Sequence, residues 1–319
     1  MINRLSKLWK SNSIVFVVLV VTVIISIMAP RFFQYENLMN VLSNASVVAV
    51  VGLGMTLAIA SGNFDLSVGS TAAFASCISF SLVPALGVPL SILAGLITGA
   101  VVGLVNGAII TELRVPAFIA TLGMQTIIRG LSLLYTNGKD LYLYGSTDYK
   151  VLSGNSLGLP MPLILALVIA VILALVVGQT RFGRHVLALG SNLASAQRSG
   201  VQTKGVIWGV FAVVGIVAAL SGMIVSAQVL TANARLSTGL ELSAIAVVVL
   251  GGTPLSGGKL TFLGTLMGAF LIAVINNGLN LLNIPIFYQE LTVGSLMLIA
   301  LAINLSHGFK LSSLVRRPQ

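Results

Sequence analysis

The chain has 319 residues, of which 57% are hydrophobic and 8% charged, and its mean hydropathy is +1.06. Ordinary globular domains carry about a quarter charged residues, so this composition excludes a soluble enzyme and a disordered tail. Seventeen Lys and Arg against seven Asp and Glu give a net charge of +10, but the cations sit in short gaps between apolar runs; this argues against a nucleic-acid partner and for membrane helices oriented by their loops.

A helix needs roughly 20 apolar residues to cross a bilayer. In chain order, charge-free stretches of that kind fall at 15–29, 46–60, 66–86, 90–110, 162–177, 206–229 and 291–305. Three weaker stretches join them: 115–135 carries Arg129, 242–251 is short, and 260–282 is dotted with Asn and Gly. Ten spans predict an all-α polytopic membrane protein with both termini on one side. With that side cytoplasmic, the inner loops and tails collect Arg4, Lys7, Lys10, Arg114, Arg181, Arg184, Arg198, Lys204, Lys259, Lys310, Arg316 and Arg317, whereas the outer side collects Arg31, Lys139, Lys150 and Arg235. Twelve against four follows the positive-inside rule. The run at 15–29 follows a basic start, as a signal peptide would, but Met28-Ala29-Pro30 is a poor cleavage context, so the run is read as a retained span.

Three short patterns recur in the same order about 170 residues later. Asp65-Leu66-Ser67 is echoed by Glu241-Leu242-Ser243, Asn106-Gly107 by Asn277-Gly278, and Pro116-Ala117-Phe118 by Pro285-Ile286-Phe287. A shift of five spans inverts the second half in the membrane, which predicts two inverted halves, about 1–155 and 156–319, in a single transmembrane domain.

No catalytic constellation is readable. The glycine-rich run 251–259 lacks the phosphate-loop spacing, since Thr253 stands where a Gly is required and Leu260 follows Lys259 in place of Ser or Thr; it reads as a tight turn between two spans. His185 and His307 stand apart from any acid or sulfur and read as loop residues, Cys77 is the sole cysteine, and no metal site is expected. Polar residues inside spans are more informative, because they are costly in lipid. Asn106, Asn276, Asn277 and Asn280 suit hydrogen bonds to a polyhydroxylated solute, or equally bonds between helices. Gln125 and Arg129, four apart, can pair with an acid or line a path, and Arg129 can equally lie near a helix end with its head in the interface. Asp65 and Glu241 sit where glycines interrupt or open apolar runs, so capping of a helix start is the expected role, with gating or solute contact as the sharper alternative. The long inner loop, 179–204, contains a helix-compatible stretch at 191–198 on which a separate motor could push.

These blocks together resemble the permease subunits of ribose-type bacterial ABC importers, a family that also serves other monosaccharides and autoinducer-2. The resemblance covers nearly the whole chain. It rests on Gly54-Met55-Thr56 with Asp65-Leu66-Ser67-Val68-Gly69-Ser70, on Pro116-Ala117-Phe118-Ile119-Ala120-Thr121-Leu122 with Arg129-Gly130, and on Tyr135-Thr136-Asn137-Gly138. Further blocks are Arg181-Phe182-Gly183-Arg184, Ala188-Leu189-Gly190-Ser191-Asn192, the run 244–253, and 276–282 with Tyr288-Gln289. The resemblance implies a fold like that of type II ABC importers and a homodimer of permeases in the bacterial inner membrane. It also implies a cytoplasmic ATP-binding cassette subunit that holds ATP and magnesium, and a sugar-binding protein outside. The permease itself would bind no cofactor and catalyse nothing. Gly190, Ser191, Asn192, Leu193, Ala194, Ser195, Arg198 and Gly200 match the family's coupling segment, with Leu193 where Glu is usual; Ser243 stands where the family commonly has Asp after Glu-Leu. An ion-driven secondary transporter shares inverted repeats and is the alternative, with Asp65 and Glu241 as the candidate coupling acids.

Overall fold

The structure, a computed structural model, describes residues 13–143 and 148–308. The terminal cations Arg4, Lys7, Lys10, Lys310, Arg316 and Arg317 lie outside the described residues. The described chain runs through α1 (Ser13–Met28), α2 (Tyr35–Ala60), α3 (Val68–Glu112) and α4 (Ala117–Thr136), then β1 (Leu141–Tyr142), a 3₁₀ turn (Asp148–Leu152), β2 (Asn155–Ser156) and β3 (Leu159–Pro160). It continues through α5 (Met161–Gln179), α6 (Arg181–Ser191), α7 (Leu193–Arg198), α8 (Thr203–Val229), β4 (Thr231–Ala232), α9 (Leu240–Leu250), α10 (Phe262–Leu281) and α11 (Ile286–Gly308). Among the described residues, α2, α3, α4, α5, α8 and α10 are long and apolar enough to cross a membrane, whereas α1 and α9 are shorter apolar helices.

The 45 residues of α3 contain both the 66–86 and the 90–110 stretch. They are two arms, not one rod. Gly87, at φ 71° and ψ 170°, breaks the helix between Pro84 and Pro89, a conformation that L side chains avoid. The arms fold back on each other, so that Gly95 lies against Ala75 and Ser79. α8 packs along the hairpin, and at Gly99 and Gly215 the two backbones touch with no side chain between them. Small residues supply such contacts in a bilayer, where apolar burial drives no association.

α2 forms the axis. It is buried almost without interruption from Ala45 to Ala60, enclosed by α8, α10, α5 and α9. A helix apolar on every side is stable only when enclosed in this way or spanning lipid. α5 is of the second kind, since Leu167, Val168, Val171, Ile172 and Leu175 are all exposed and no charged side chain interrupts it. Water would not tolerate that face; lipid does.

The end of the molecule opposite α6 and α7 carries two short antiparallel pairings, Leu141 with Ala232 and Asn155 with Pro160. Tyr149 of the 3₁₀ turn plugs this end, fully buried, sharing a 2.6 Å hydrogen bond with Ser79 and packing edge-on to Phe80 at 4.5 Å. Burial pushes its phenol up, partly offset by the Ser79 bond.

Two expectations are corrected here. His185 lies within α6 and His307 within the last turns of α11, so neither is a loop residue. The run 46–60 begins about three turns too late, because α2 starts at Tyr35 with Glu36, Asn37, Asn40 and Asn44 in its first turns.

Candidate functional site

The first polar cluster closes the gap between α2 and α3. α2 stops at Ala60, the chain turns at Gly62 (φ 81°), and Asp65 arrives fully buried. Its Oδ1 accepts the Ser67 N–H at 2.8 Å and the Ser67 hydroxyl at 2.6 Å, so the carboxylate organises the first turn of α3. Asn106, from the second arm of α3, donates to Ser67 Oγ at 2.8 Å and to Asp65 Oδ2 at 3.4 Å, and Thr121 of α4 accepts the Leu66 N–H at 3.1 Å. Burial pushes the Asp65 carboxyl up, and the Ser67 and Asn106 bonds pull it back. The second cluster lies deeper along the hairpin. α8 ends at Val229, a stretch without helix follows β4, and Gly239 at φ 83° turns the chain into α9, whose 11 residues extend about 16 Å, half a bilayer. Glu241 in its first turn is buried, and its Oε1 accepts from Gln125 Nε2 at 2.9 Å. Its Oε2 lies against Gly69 in the first turn of α3, without a hydrogen-bond partner among the described residues. One turn further along α4, the Arg129 guanidinium donates to the carbonyls of Ala234 and of Leu236, the latter at 3.3 Å. Arg129 therefore sits within α4 with its head on the segment ahead of α9.

The α10 amides have separate surroundings. Asn277 and Asn37 exchange two bonds, at 2.7 and 3.0 Å, tying α10 to α2. Asn280 accepts from Gln289 at 2.6 Å and borders a cavity of about 500 Å³ with Arg31 and Asn283. Asn276 Oδ1 is buried without a partner among the described residues. Asn106 and Asn277, paired by sequence, thus have unlike neighbours.

At the other end, the 179–204 loop contains two helices. Thr180 opens α6 by accepting the Gly183 N–H at 3.3 Å, and Asn192 opens α7 by accepting the Ser195 N–H at 2.9 Å. Leu193, Ala194, Ser195, Arg198 and Gly200 are exposed, and Leu193 takes the first helical position, where an acid would favour the helix dipole. Ser191 is exposed as well, its hydroxyl donating to the Leu187 carbonyl at 2.8 Å, whereas Gly190 sits in a joint of three backbones. The Gly258 N–H donates to the Ala60 carbonyl at 2.9 Å, and Gly190 lies against both, so the last turn of α6 touches the end of α2 and the α9–α10 connection directly. Sequence reasoning missed this joint; the glycines at 62, 190, 257 and 258 were visible, but nothing in their spacing brings them together.

Comparison with known proteins identifies this arrangement of apolar helices and sparse polar clusters. A family described as "Branched-chain amino acid transport system / permease component" matches residues 37–301. The chain belongs to this permease family. It is a transport subunit of the multi-pass inner-membrane kind and not itself an enzyme. It is 38% identical over 292 residues to the ribose import permease protein RbsC of Escherichia coli K12, covering 90% of this chain and 91% of the relative. It is 37% identical to RbsC of Bacillus subtilis, covering 89% of each, and 32% identical to the L-arabinose ABC transporter permease protein AraH of Azospirillum brasilense, covering 93% of this chain and 88% of the relative. No solved structure matches the chain.

Proposed function

We propose that the chain is the membrane permease of an ATP-binding-cassette importer for a ribose-like monosaccharide. The observation that carries this reading is identity to ribose permeases along nine-tenths of the chain, with arabinose and allose permeases at 30% or more over similar lengths. A sugar needs amides and hydroxyls on its path, and the intramembrane polar groups here are of that kind. In this reading ATP and magnesium act in a separate cassette subunit that docks on α6 and α7. A sugar-binding protein delivers solute at the opposite end, and two copies of the permease form the path. The segment 190–200 is the coupling segment, and Asn106, Gln125, Asn276, Asn277 and Asn280 neighbour the path, with Asp65 and Glu241 at its helix breaks. Ten crossings in two inverted halves follow if the arms of α3 count separately and α1, α9 and α11 each cross; both termini are then cytoplasmic, in line with the charge count. The cassette switches the pore between inward and outward access, each ligand favouring one state by its contacts there.

The test is uptake into proteoliposomes holding this chain, with ATP, a ribose-type cassette subunit and a sugar-binding protein added or omitted in turn. Radiolabelled ribose should accumulate only when all are present. Uptake by the chain alone under an ion gradient would replace this reading with ion-driven secondary transport.

A further inference from the structure

The polar groups bridging α4 to the stretch ahead of α9 perform a task that packing does not. α4 packs chiefly on α3, and added side chains at Gly123 and Gly130 would meet nothing within 4 Å. It nevertheless reaches the break with three hydrogen bonds from two residues one turn apart: Arg129 to the Ala234 and Leu236 carbonyls, and Gln125 to Glu241 Oε1. Irregular backbone at membrane depth survives only where its polar groups find partners or line a water-filled path. A charged side chain spent on two carbonyls there is a costly device for mere packing.

We propose that Gln125 and Arg129 are positioning residues of the transport cycle, a latch by which α4 holds the 234–241 break shut until donors arrive to replace it. If α4 withdrew alone, three acceptors would be left unpaired in a low dielectric, so the closed state resists opening. Water alone opens it slowly. A polyhydroxylated solute offers several hydroxyl donors at once, and displacement of the latch by solute then couples opening to the presence of cargo. α9 links the latch to the far end of the molecule: Glu241 is in its first turn, and the connection that follows its last turn forms the glycine joint with α6. The part concerning cargo rests on the sugar-importer reading; the latch itself does not.

The test uses Ser237, whose hydroxyl is buried in the break without a partner among the described residues. In a Cys77→Ser background, Ser237→Cys places a single thiol there, and its reaction with a membrane-impermeant methanethiosulfonate is timed for the full chain in nanodiscs. Arg129→Met should speed labelling at least tenfold and Gln125→Leu about threefold, while Arg129→Lys, which keeps a donor, stays close to the parent. Equal rates in Arg129→Met, Gln125→Leu and the parent would overturn the latch. If Arg129→Met fails to accumulate, Gln125→Leu decides alone, because it removes one bond of the three. In the reconstituted importer, Arg129→Met should also lower ribose moved per ATP at least threefold at equal permease level; an unchanged ratio would overturn the coupling of latch to cargo. Absence of ribose uptake by the parent would defeat the sugar reading and leave the labelling comparison intact.

Discussion

The joint of three backbones can be tested by adding a single methyl group. In Gly190→Ala the new Cβ would overlap the Ala60 carbonyl oxygen and come within 2.5 Å of the Gly258 nitrogen. Both are main-chain atoms, so no rotamer change relieves the contact. Forcing the segments apart costs about 1–3 kcal/mol as overpacking, and losing the Gly258-to-Ala60 bond adds about 0.5–1.5 kcal/mol. Gly190 is helical, and alanine returns about 1 kcal/mol of helix propensity, which leaves a net loss of roughly 2 kcal/mol. At about 2 °C per kcal/mol, thermal unfolding of the purified chain in detergent should shift down by roughly 4 °C. Gly178→Ala is the control, a helical position with nothing within 4 Å, and should hold or gain a degree or two. Equal midpoints for the two variants would refute the joint.

Three other outcomes follow from the clusters. Asp65→Ala should cost about 1–2 kcal/mol through loss of the bonds that order the start of α3, and a double-mutant cycle with Asn106→Ala in denaturant unfolding should show coupling above about 0.5 kcal/mol; strict additivity would count against a shared network. Asn37→Leu and Asn277→Leu should each destabilise, by about 1 kcal/mol, and the double variant should be no worse than either single one, because it leaves no amide stranded. Because burial raises the Tyr149 phenol, its contribution to stability is complete below the ordinary tyrosine range near 10 and fades as pH rises beyond it; alkaline unfolding curves should show that loss in the parent and less of it in Tyr149→Phe, and identical curves would refute the buried plug.

The apolar runs placed most of the helices, because hydrocarbon thickness sets both the length and the composition of a span. The stretches 66–86 and 90–110 became the arms of α3, 206–229 became the bulk of α8, and the weak 242–251 became α9 nearly residue for residue. What sequence hid lies where polar groups compensate one another across the fold. The first turns of α2 look unlike a span because of Asn37, Asn40 and Asn44, yet Asn37 is matched by Asn277, 240 residues away. Gln125 and Arg129 could be singled out by their spacing, and an acid could be suspected, but nothing local told that Glu241 and two carbonyls ahead of it were the partners. α6 escaped notice because its helix is amphipathic and capped by Thr180, without the long apolar signal of its neighbours.

The turn at Gly87 bears on how the chain is made. A single left-handed residue between two prolines leaves no linker on which the arms of α3 could part. The first arm cannot settle in the bilayer and wait for the second, since its far end is already the start of the return. The pair therefore has to leave the translocon as one hairpin, apolar faces together, with Asp65 and Asn106 entering side by side at its open end.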